Sequence, residues 1–176
     1  MKYFKSFLFL IVPMLVFLGC ATFQSVVKST FPYIANLIIP ASSQVNTEQS
    51  VTGTASSFDQ DISKNRDTSA MVKEVWVASA RLKSENPTGF NIGNFVYVKV
   101  YASKAAGADE VLVASRTDVT PDDGNTLELD INNQVYLDKL IHEPQIKIRL
   151  VYQLRNPIDV NAHLHLVLRI SANPGK

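Results

Sequence analysis

The stretch Gln145-Ile-Lys-Ile-Arg-Leu-Val-Tyr-Gln-Leu-Arg155 alternates apolar and polar side chains along almost its whole length. Every even-numbered residue in it is apolar or aromatic, and every odd-numbered residue except Val151 is Lys, Arg or Gln. Because successive side chains of a strand point to opposite faces, this period of two predicts a β-strand with one face in the core and one face in water.

A second stretch, Val160-Asn-Ala-His-Leu-His-Leu-Val-Leu-Arg-Ile170, repeats the pattern, again with its even-numbered residues apolar from position 162 onward. A hairpin between the two strands keeps both apolar faces together only if the numbers of paired residues sum to an even value. We therefore expect a hairpin with a loop of about three or five residues, or a bulge, in which Arg149 lies opposite His165.

Strands are also predicted in the rest of the chain, at 33–39, 72–84, 95–102, 110–115 and 126–131. These runs either alternate apolar and polar side chains or are rich in β-branched and aromatic residues, and turn residues bound them. The first is bracketed by Pro32 and Pro40, so we expect it at a sheet edge. Residues 42–67 are rich in Ser, Thr, Gln and Asn, and two interpretations stay open: an extended strand at 49–56 or a mobile surface excursion. One short helix is predicted at 135–142.

Seven or eight short strands with one brief helix are typical of an all-β domain. The amphipathic alternation disfavours a parallel α/β sheet, whose strands would be apolar on both faces. The sequence therefore predicts an antiparallel β-sandwich of the Ig-like or Greek-key type over residues 30–176.

The first 19 residues have the plan of a secretory signal peptide, with a basic head at Lys2 and Lys5 followed by an uncharged apolar run. That run is shorter than the roughly 20 apolar residues that a membrane-spanning helix needs, and Pro13 interrupts it. It ends in Phe17-Leu-Gly-Cys20, which resembles the lipobox of bacterial lipoproteins although Phe replaces the usual Leu.

The lipobox resemblance implies that Cys20 carries diacylglycerol and becomes the acylated first residue of the mature protein, with 20–29 as a tether to the domain. The alternative is an ordinary signal peptide with a chance cysteine. Cys20 is the only cysteine in the chain. Two or more acyl chains anchor a protein stably, so we predict a protein of the bacterial cell envelope, attached to the outer membrane through Cys20.

The mature chain of 157 residues is close to neutral, with 15 Lys and Arg against 16 Asp and Glu. A near-neutral domain lacks the concentrated basic surface that nucleic-acid binding requires. The charge is nevertheless uneven, since 145–176 carries five basic residues against one acid and 109–143 carries nine acids against two basic residues. Nucleic acid is therefore excluded as the main partner, whereas a lipid phosphate or an acidic protein is not.

The predicted hairpin places five basic or titratable side chains on one face, and we take this face as the candidate site for an anion or an acidic partner. An ordinary solvated surface is the alternative. The spacing of the two histidines can suit a metal, but two ligands are too few for a tetrahedral site, so no metal is predicted. The candidate residues are Lys147, Arg149, His163, His165 and Arg169.

Two further clusters have a structural and a functional interpretation. Asp122-Asp-Gly-Asn125 could ligate calcium through oxygen atoms, but it lacks the spacing of an EF-hand loop, and turn formation explains it. Phe95, Tyr97 and Tyr101 could form a sugar-stacking platform, but we expect a second core face covered by the neighbouring sheet.

The sequence offers little catalytic chemistry. It contains no G-x-S-x-G, P-loop or G-x-G-x-x-G motif. We therefore predict a protein that is not an enzyme and that uses no cofactor.

The segments Val72-Lys-Glu-Val-Trp-Val-Ala-Ser-Ala-Arg-Leu82 and Gly124-Asn-Thr-Leu-Glu-Leu-Asp130 resemble uncharacterised single-domain Bacteroidetes-type lipoproteins. The resemblance implies a lipid-anchored β-sandwich and no known chemistry. Our first hypothesis is a non-catalytic binding or structural module, such as an accessory subunit of an envelope complex. The second is a carrier or sensor of a small anionic or lipid ligand, through the basic face or the sandwich interior.

Overall fold

The computed structural model describes residues 31–57, 72–140, 143 and 145–174. The predicted signal peptide, Cys20, the tether at 20–29 and positions 58–67 of the polar segment lie outside these residues. The described chain forms eight strands and a short 3-10 turn at Ile92–Asn94. The strands are β1 Phe31–Ile39, β2 Glu48–Ser57, β3 Val72–Asn86, β4 Phe95–Lys104, β5 Val111–Arg116, β6 Thr126–Ile131, β7 Gln145–Leu154 and β8 Ala162–Pro174.

The eight strands close into a single antiparallel barrel in the order β1-β2-β7-β4-β5-β6-β3-β8. Closure comes from the pairing of β8 with β1, from Phe31 opposite Ile170 to Ile39 opposite Ala162. The all-β antiparallel class is confirmed, but the predicted sandwich is wrong. Apolar-in, polar-out alternation is common to both architectures, and the non-local β1–β8 pairing distinguishes them.

The predicted hairpin between the two most regular strands is also wrong. β7 pairs with β2 and β4, whereas β8 pairs with β1 and β3. The connection at 155–161 therefore crosses one end of the barrel instead of forming a tight turn. The alternation itself is confirmed: Ile146, Ile148, Leu150 and Leu154 of β7 are buried.

The predictions for β1 and for residues 135–140 need correction, and the polar segment proves to contain a strand. β1 is not an edge strand, because it pairs with β8 along its length and with β2 near Ala35. Residues 135–140 are not helical, since the amide of Leu137 donates to the carbonyl oxygen of Val75 at 2.6 Å instead of starting a helical turn. The polar segment contains a strand at Glu48–Ser57.

Side chains from all eight strands meet in the barrel interior. Eight strands enclose a space that side chains can just fill, and aliphatic residues dominate it here. Tyr152 is the largest buried side chain, and its hydroxyl lies 2.9 Å from Oγ of buried Ser43. The largest side chains with under 2% exposure are Tyr152, Phe95, Leu37, Ile39, Leu82, Ile92, Ile148, Leu150, Leu154, Leu164, Leu166 and Leu168.

Strand direction defines two ends of the barrel. The proximal end is where the chain enters β1 at Phe31 and leaves β8 at Pro174, and it carries the β4–β5 loop at 105–110 and the β6–β7 loop at 132–144. The distal end carries the other four described loops, which connect β1–β2, β3–β4, β5–β6 and β7–β8: residues 40–47, 87–94, 117–125 and 155–161. Within the described residues, no helix is long and apolar enough to cross a membrane.

Candidate functional site

The distal end is formed by four loops that contain prolines and are hydrogen-bonded to one another. Each of its four loops contains one proline: Pro40, Pro87, Pro121 and Pro157. Proline fixes the backbone φ angle and so reduces the freedom of each loop before any ligand binds. The loops at 40–47 and 87–94 contain no charged residue.

Hydrogen bonds join the four loops side by side. The amide of Ala41 donates to Oδ1 of Asn161 at 2.9 Å, which links the first loop to the last. Oδ1 of Asn94 accepts from the backbone amide of Asn156 at 2.9 Å, which links the last loop to the β3–β4 loop. The amide of Ile92 donates to the carbonyl oxygen of Gly124 at 2.6 Å and so links the β3–β4 and β5–β6 loops.

Gly93 allows the β3–β4 and β5–β6 loops to touch. A Cβ atom at this position would lie 2.5 Å from the carbonyl oxygen of Thr120 and closer still to that of Pro121. Both obstructing groups are backbone, so they cannot rotate away. The side chain of Asn91 completes the contact, since its Oδ1 accepts from the Gly93 amide at 2.7 Å and its Nδ2 donates to Pro121 O at 2.6 Å.

Arg155 lies where three distal loops converge. Its Nε donates to the carbonyl oxygen of Gly93 at 3.2 Å, and its Nη2 donates to that of Val119. Its backbone amide donates to Asn94 O at 2.8 Å. Among the ion pairs between described residues, none includes Arg155. This half-buried guanidinium therefore has only neutral acceptors.

A cavity of about 300 Å³ opens beside this arginine. Its lining combines three asparagine amides, one guanidinium, one aromatic ring and two other apolar side chains. The size corresponds to the lower limit for small-molecule sites. The lining residues are Phe90, Asn91, Gly93, Asn94, Pro121, Arg155, Asn156 and Ile158.

The barrel divides the predicted basic face into two parts. Lys147 and Arg149 lie on β7, whereas His163, His165 and Arg169 lie on β8, and β1 and β2 separate the two strands. Three interstrand steps amount to roughly 14 Å along the wall, which exceeds the Debye length of about 8 Å at physiological salt. The five residues therefore do not form one surface.

Arg149 is neutralised within its own part of the wall. It forms two parallel hydrogen bonds with the carboxylate of Glu110, at 2.9 and 2.6 Å, and its guanidinium lies 4.4 Å from the centre of the Tyr101 ring. The hydrogen bond from Arg149 lowers the pKa of Glu110. This arrangement leaves little positive charge for an external anion.

In the β8 part, His165 has partners on two neighbouring strands. Nδ1 of His165 lies 3.0 Å from Oδ1 of Asn36 and 3.7 Å from Oε1 of Glu85. His163 and Arg169 are exposed on the same outer face of β8. In the described part of the chain, no group of three or more His, Cys, Asp or Glu side chains is arranged to hold a metal.

The aromatic residues of β4 do not form a second core face. Phe95 is buried inside the barrel, but Tyr97 and Tyr101 are half-buried on its outer wall, because a single closed sheet has no covering layer. The Tyr97 hydroxyl donates to Glu48 at 2.7 Å, and this hydrogen bond raises the pKa of Tyr97 to about 12. Nζ of Lys99 lies 5.0 Å from the centre of the Tyr97 ring.

The Asp-rich turn of the β5–β6 loop has its own partners. The carboxylate of Asp123 accepts from the backbone amide of Thr120 at 2.9 Å and from the Thr120 hydroxyl at 2.5 Å. These hydrogen bonds lower the pKa of Asp123. The Asp118 carboxylate lies 2.9 Å from Nε of Arg116. These contacts agree with the interpretation of this segment as a turn.

A second cavity, of about 530 Å³, lies at the proximal end. Lys139 and Lys104 both approach the carboxylate of Asp109 beside it, at 3.8 and 3.2 Å. The charged groups of this cavity thus have partners, either within the lining or just outside it. Its lining consists of Asp109, Glu110, Val111, Tyr136, Asp138, Lys139 and Leu140.

Sequence patterns pointed to the wall of the barrel and missed the distal cavity. Arg155 appeared only as one more polar residue of a strand, and no sequence pattern singled out Asn91, Asn94 or Asn156. The available signal was the presence of a proline in every loop of one end, but strand directions were needed to recognise that these loops share an end.

Comparison with protein-family models finds no match to the chain, and comparison with curated proteins finds no significant similarity. The resemblance to Bacteroidetes-type lipoproteins therefore stays a prediction.

Proposed function

We propose that the protein is a lipid-anchored envelope protein whose barrel presents its distal end to another protein of the envelope. In this proposal Cys20 carries the lipid, and the barrel acts as a non-catalytic binding module, for example an accessory subunit of an envelope complex. The supporting observation is the separation of the two ends: the chain enters β1 at the proximal end, and the rigid loops lie opposite.

Chain direction orients the barrel relative to the bilayer. The segment from Cys20 to Phe31 joins the barrel at its proximal end, so an anchor at Cys20 keeps that end close to the membrane surface. An eight-stranded barrel with strands of this length holds the distal loops tens of ångströms away, at roughly 3.3 Å per residue. The distal end is then the accessible end.

The distal surface has the composition of a protein interface. Among the described residues, four large apolar side chains are exposed, and three of them (Ile38, Val45 and Val160) lie at or next to the distal loops. Protein interfaces are depleted of charge at their centres, and two of the four distal loops are uncharged. This surface suits a protein partner better than a charged lipid headgroup.

The second hypothesis, a carrier or sensor that binds a small anionic or lipid ligand on the basic face or in the interior, has less support. The strands bury large aliphatic side chains in the space that such a ligand would occupy. The basic face that would attract an anion is divided between β7 and β8. We therefore favour the binding module.

The anchor is tested by comparing the parent protein with a Cys20→Ser variant in membrane fractions. We expect the parent in the outer-membrane fraction, with a diacylglyceryl mass on its N-terminal peptide, and the variant in the soluble fraction. Equal membrane attachment of both forms would refute the lipid anchor.

The binding end is tested by site-specific photo-crosslinking in intact cells, with a crosslinking residue at Val160 and a matched control at Tyr136. The two side chains are 53% and 56% exposed and lie at opposite ends. We expect Val160 to capture one envelope protein and Tyr136 not to capture it. Capture of the same protein from both positions, or only from Tyr136, would contradict the orientation.

A further inference from the structure

Arg155 carries a positive charge that no salt bridge within the described part of the chain neutralises. A guanidinium offers five N–H donors, and its side chain makes hydrogen bonds to two backbone carbonyls, those of Gly93 and Val119. None of the ion pairs between described residues includes Arg155. Both carbonyl bonds also hold the side chain in place, so the remaining donors have a defined direction.

The cavity beside Arg155 supplies complementary groups. Its lining contains this one cation and no acid. Phe90, Pro121 and Ile158 provide apolar surface, and the Phe90 ring is itself held at 6.0 Å, edge to face, against the buried ring of Phe95. The amides of Asn91, Asn94 and Asn156 add donors and acceptors. Asn94 and Asn156 hydrogen-bond to each other, and Nδ2 of Asn91 donates to Pro121 O, so these bonds give the cavity its shape.

We propose that this distal cavity binds a carboxylate group carried on a small apolar body. An arginine fork matches the planar geometry of a carboxylate and binds it through paired hydrogen bonds. One positive charge balances one negative charge. A phosphate, with nearly two negative charges, would have no second cation in the lining.

Two sources can supply such a group: a free small organic acid, or the C-terminal carboxylate of a polypeptide that ends in an apolar residue. The polypeptide source rests on the proposed function, in which the distal end meets a protein. The free acid does not, and the cavity can fail this test while the lipid anchor at Cys20 still stands.

The proposal is tested by calorimetry on the full-length protein in mild detergent, with N-acetyl-leucine, its carboxamide analogue and inorganic phosphate as probes. We expect the acid to bind at least tenfold more tightly than the carboxamide. The affinity for N-acetyl-leucine should fall as the pH drops through the pKa of this ligand's carboxyl group. Equal affinity for acid and carboxamide, or tighter binding of phosphate, would overturn the assignment of the ligand class.

The two sources are distinguished by an eight-residue peptide ending in Leu, with a free or an amidated C-terminus. Tighter binding of the free-ended peptide than of N-acetyl-leucine indicates a polypeptide ligand, and weaker binding indicates a small acid. Binding of neither the peptide nor the single amino acid refutes the site.

Variants locate the binding on the molecule. We expect Arg155→Gln to weaken acid binding at least tenfold and Arg155→Lys, which keeps the charge but loses the fork, to weaken it severalfold. Phe90→Ala removes apolar surface without touching the loop hydrogen bonds and should weaken binding of the acid and the carboxamide equally. Arg81→Gln, on the outer wall of β3, is the matched control and leaves affinity unchanged.

Amide chemical shifts of the unmodified protein provide a test that does not depend on the folding of any variant. Addition of the acid should move the resonances of Gly93, Asn156 and the Arg155 Nε–H. Shifts confined to the outer wall around Arg149 would place the acid elsewhere and refute the proposal.

Discussion

Replacing Gly93 by Ala should disrupt the distal end more than any other single methyl group. The added Cβ would lie 2.5 Å from Thr120 O and closer to Pro121 O, so the β3–β4 and β5–β6 loops must separate. Overpacking of this kind costs about 1–3 kcal/mol. Separation also weakens two hydrogen bonds, Asn91 Nδ2 to Pro121 O and Ile92 N to Gly124 O, at about 1 kcal/mol each. Together these terms give an expected loss of about 3–5 kcal/mol.

The assay is urea unfolding of the full-length protein in detergent, followed by the fluorescence of Trp76, the only tryptophan in the chain. Gly89→Ala is the control: Gly89 has φ of +90° but no atom within 4 Å of an added Cβ, so it carries only backbone strain, of about 1–2 kcal/mol. Hydrogen exchange at the Ile92 amide should accelerate in the Gly93 variant alone. Equal losses in both variants, with the Ile92 amide still protected, would refute the steric argument.

Two further perturbations test the interior and the wall. Tyr152→Phe and Ser43→Ala should each lower the unfolding free energy by about 1–2 kcal/mol, because either change leaves a buried hydroxyl unpaired. The double variant should lose about 1 kcal/mol less than the sum of the two single losses. Additive losses in a denaturation double-mutant cycle would disprove the hydrogen bond. The lowered pKa of Glu110 means that its pairing with Arg149 stabilises the fold above the ordinary carboxyl pKa of 4.5 and loses this effect as pH falls through the lowered value. Because both side chains are about one-third exposed, Glu110→Gln should cost no more than about 1 kcal/mol at pH 7. This cost should shrink as pH falls below 4.5, and a cost that stays constant into the acid range would contradict the pairing.

The location of the distal cavity changes how the charges of this protein are interpreted. Residues that look functional in the sequence have partners of their own: Arg149 pairs with Glu110 of the β4–β5 loop, and His165 pairs with Asn36 of β1. Arg155 lies in a less conspicuous context and has only carbonyl oxygens around its side chain. The proposed site therefore rests on an unpaired charge in a cavity, and not on the density of charge along a strand.

The sequence by itself determined the local structure of most strands. The period of two in β7 and β8 identified the buried side chains, from Ile146 to Leu154 and from Ala162 to Ile170, because strand geometry alone sends alternate residues to opposite faces. The helix predicted at 135–142 from three apolar residues at helical spacing is absent over its described part, 135–140. There a tertiary hydrogen bond from Leu137 to Val75 replaced the local one.

Only the tertiary structure decided whether the sheet closes, which strands are neighbours and which loops share an end. Alternation specifies the face of each residue but not its partner strand, and β1 meets β8 across more than 120 residues of chain. The same limit applies to the candidate site. Gly93, Pro121 and Arg155 come from three separate loops, and they form one cavity because barrel closure brings those loops to the same end.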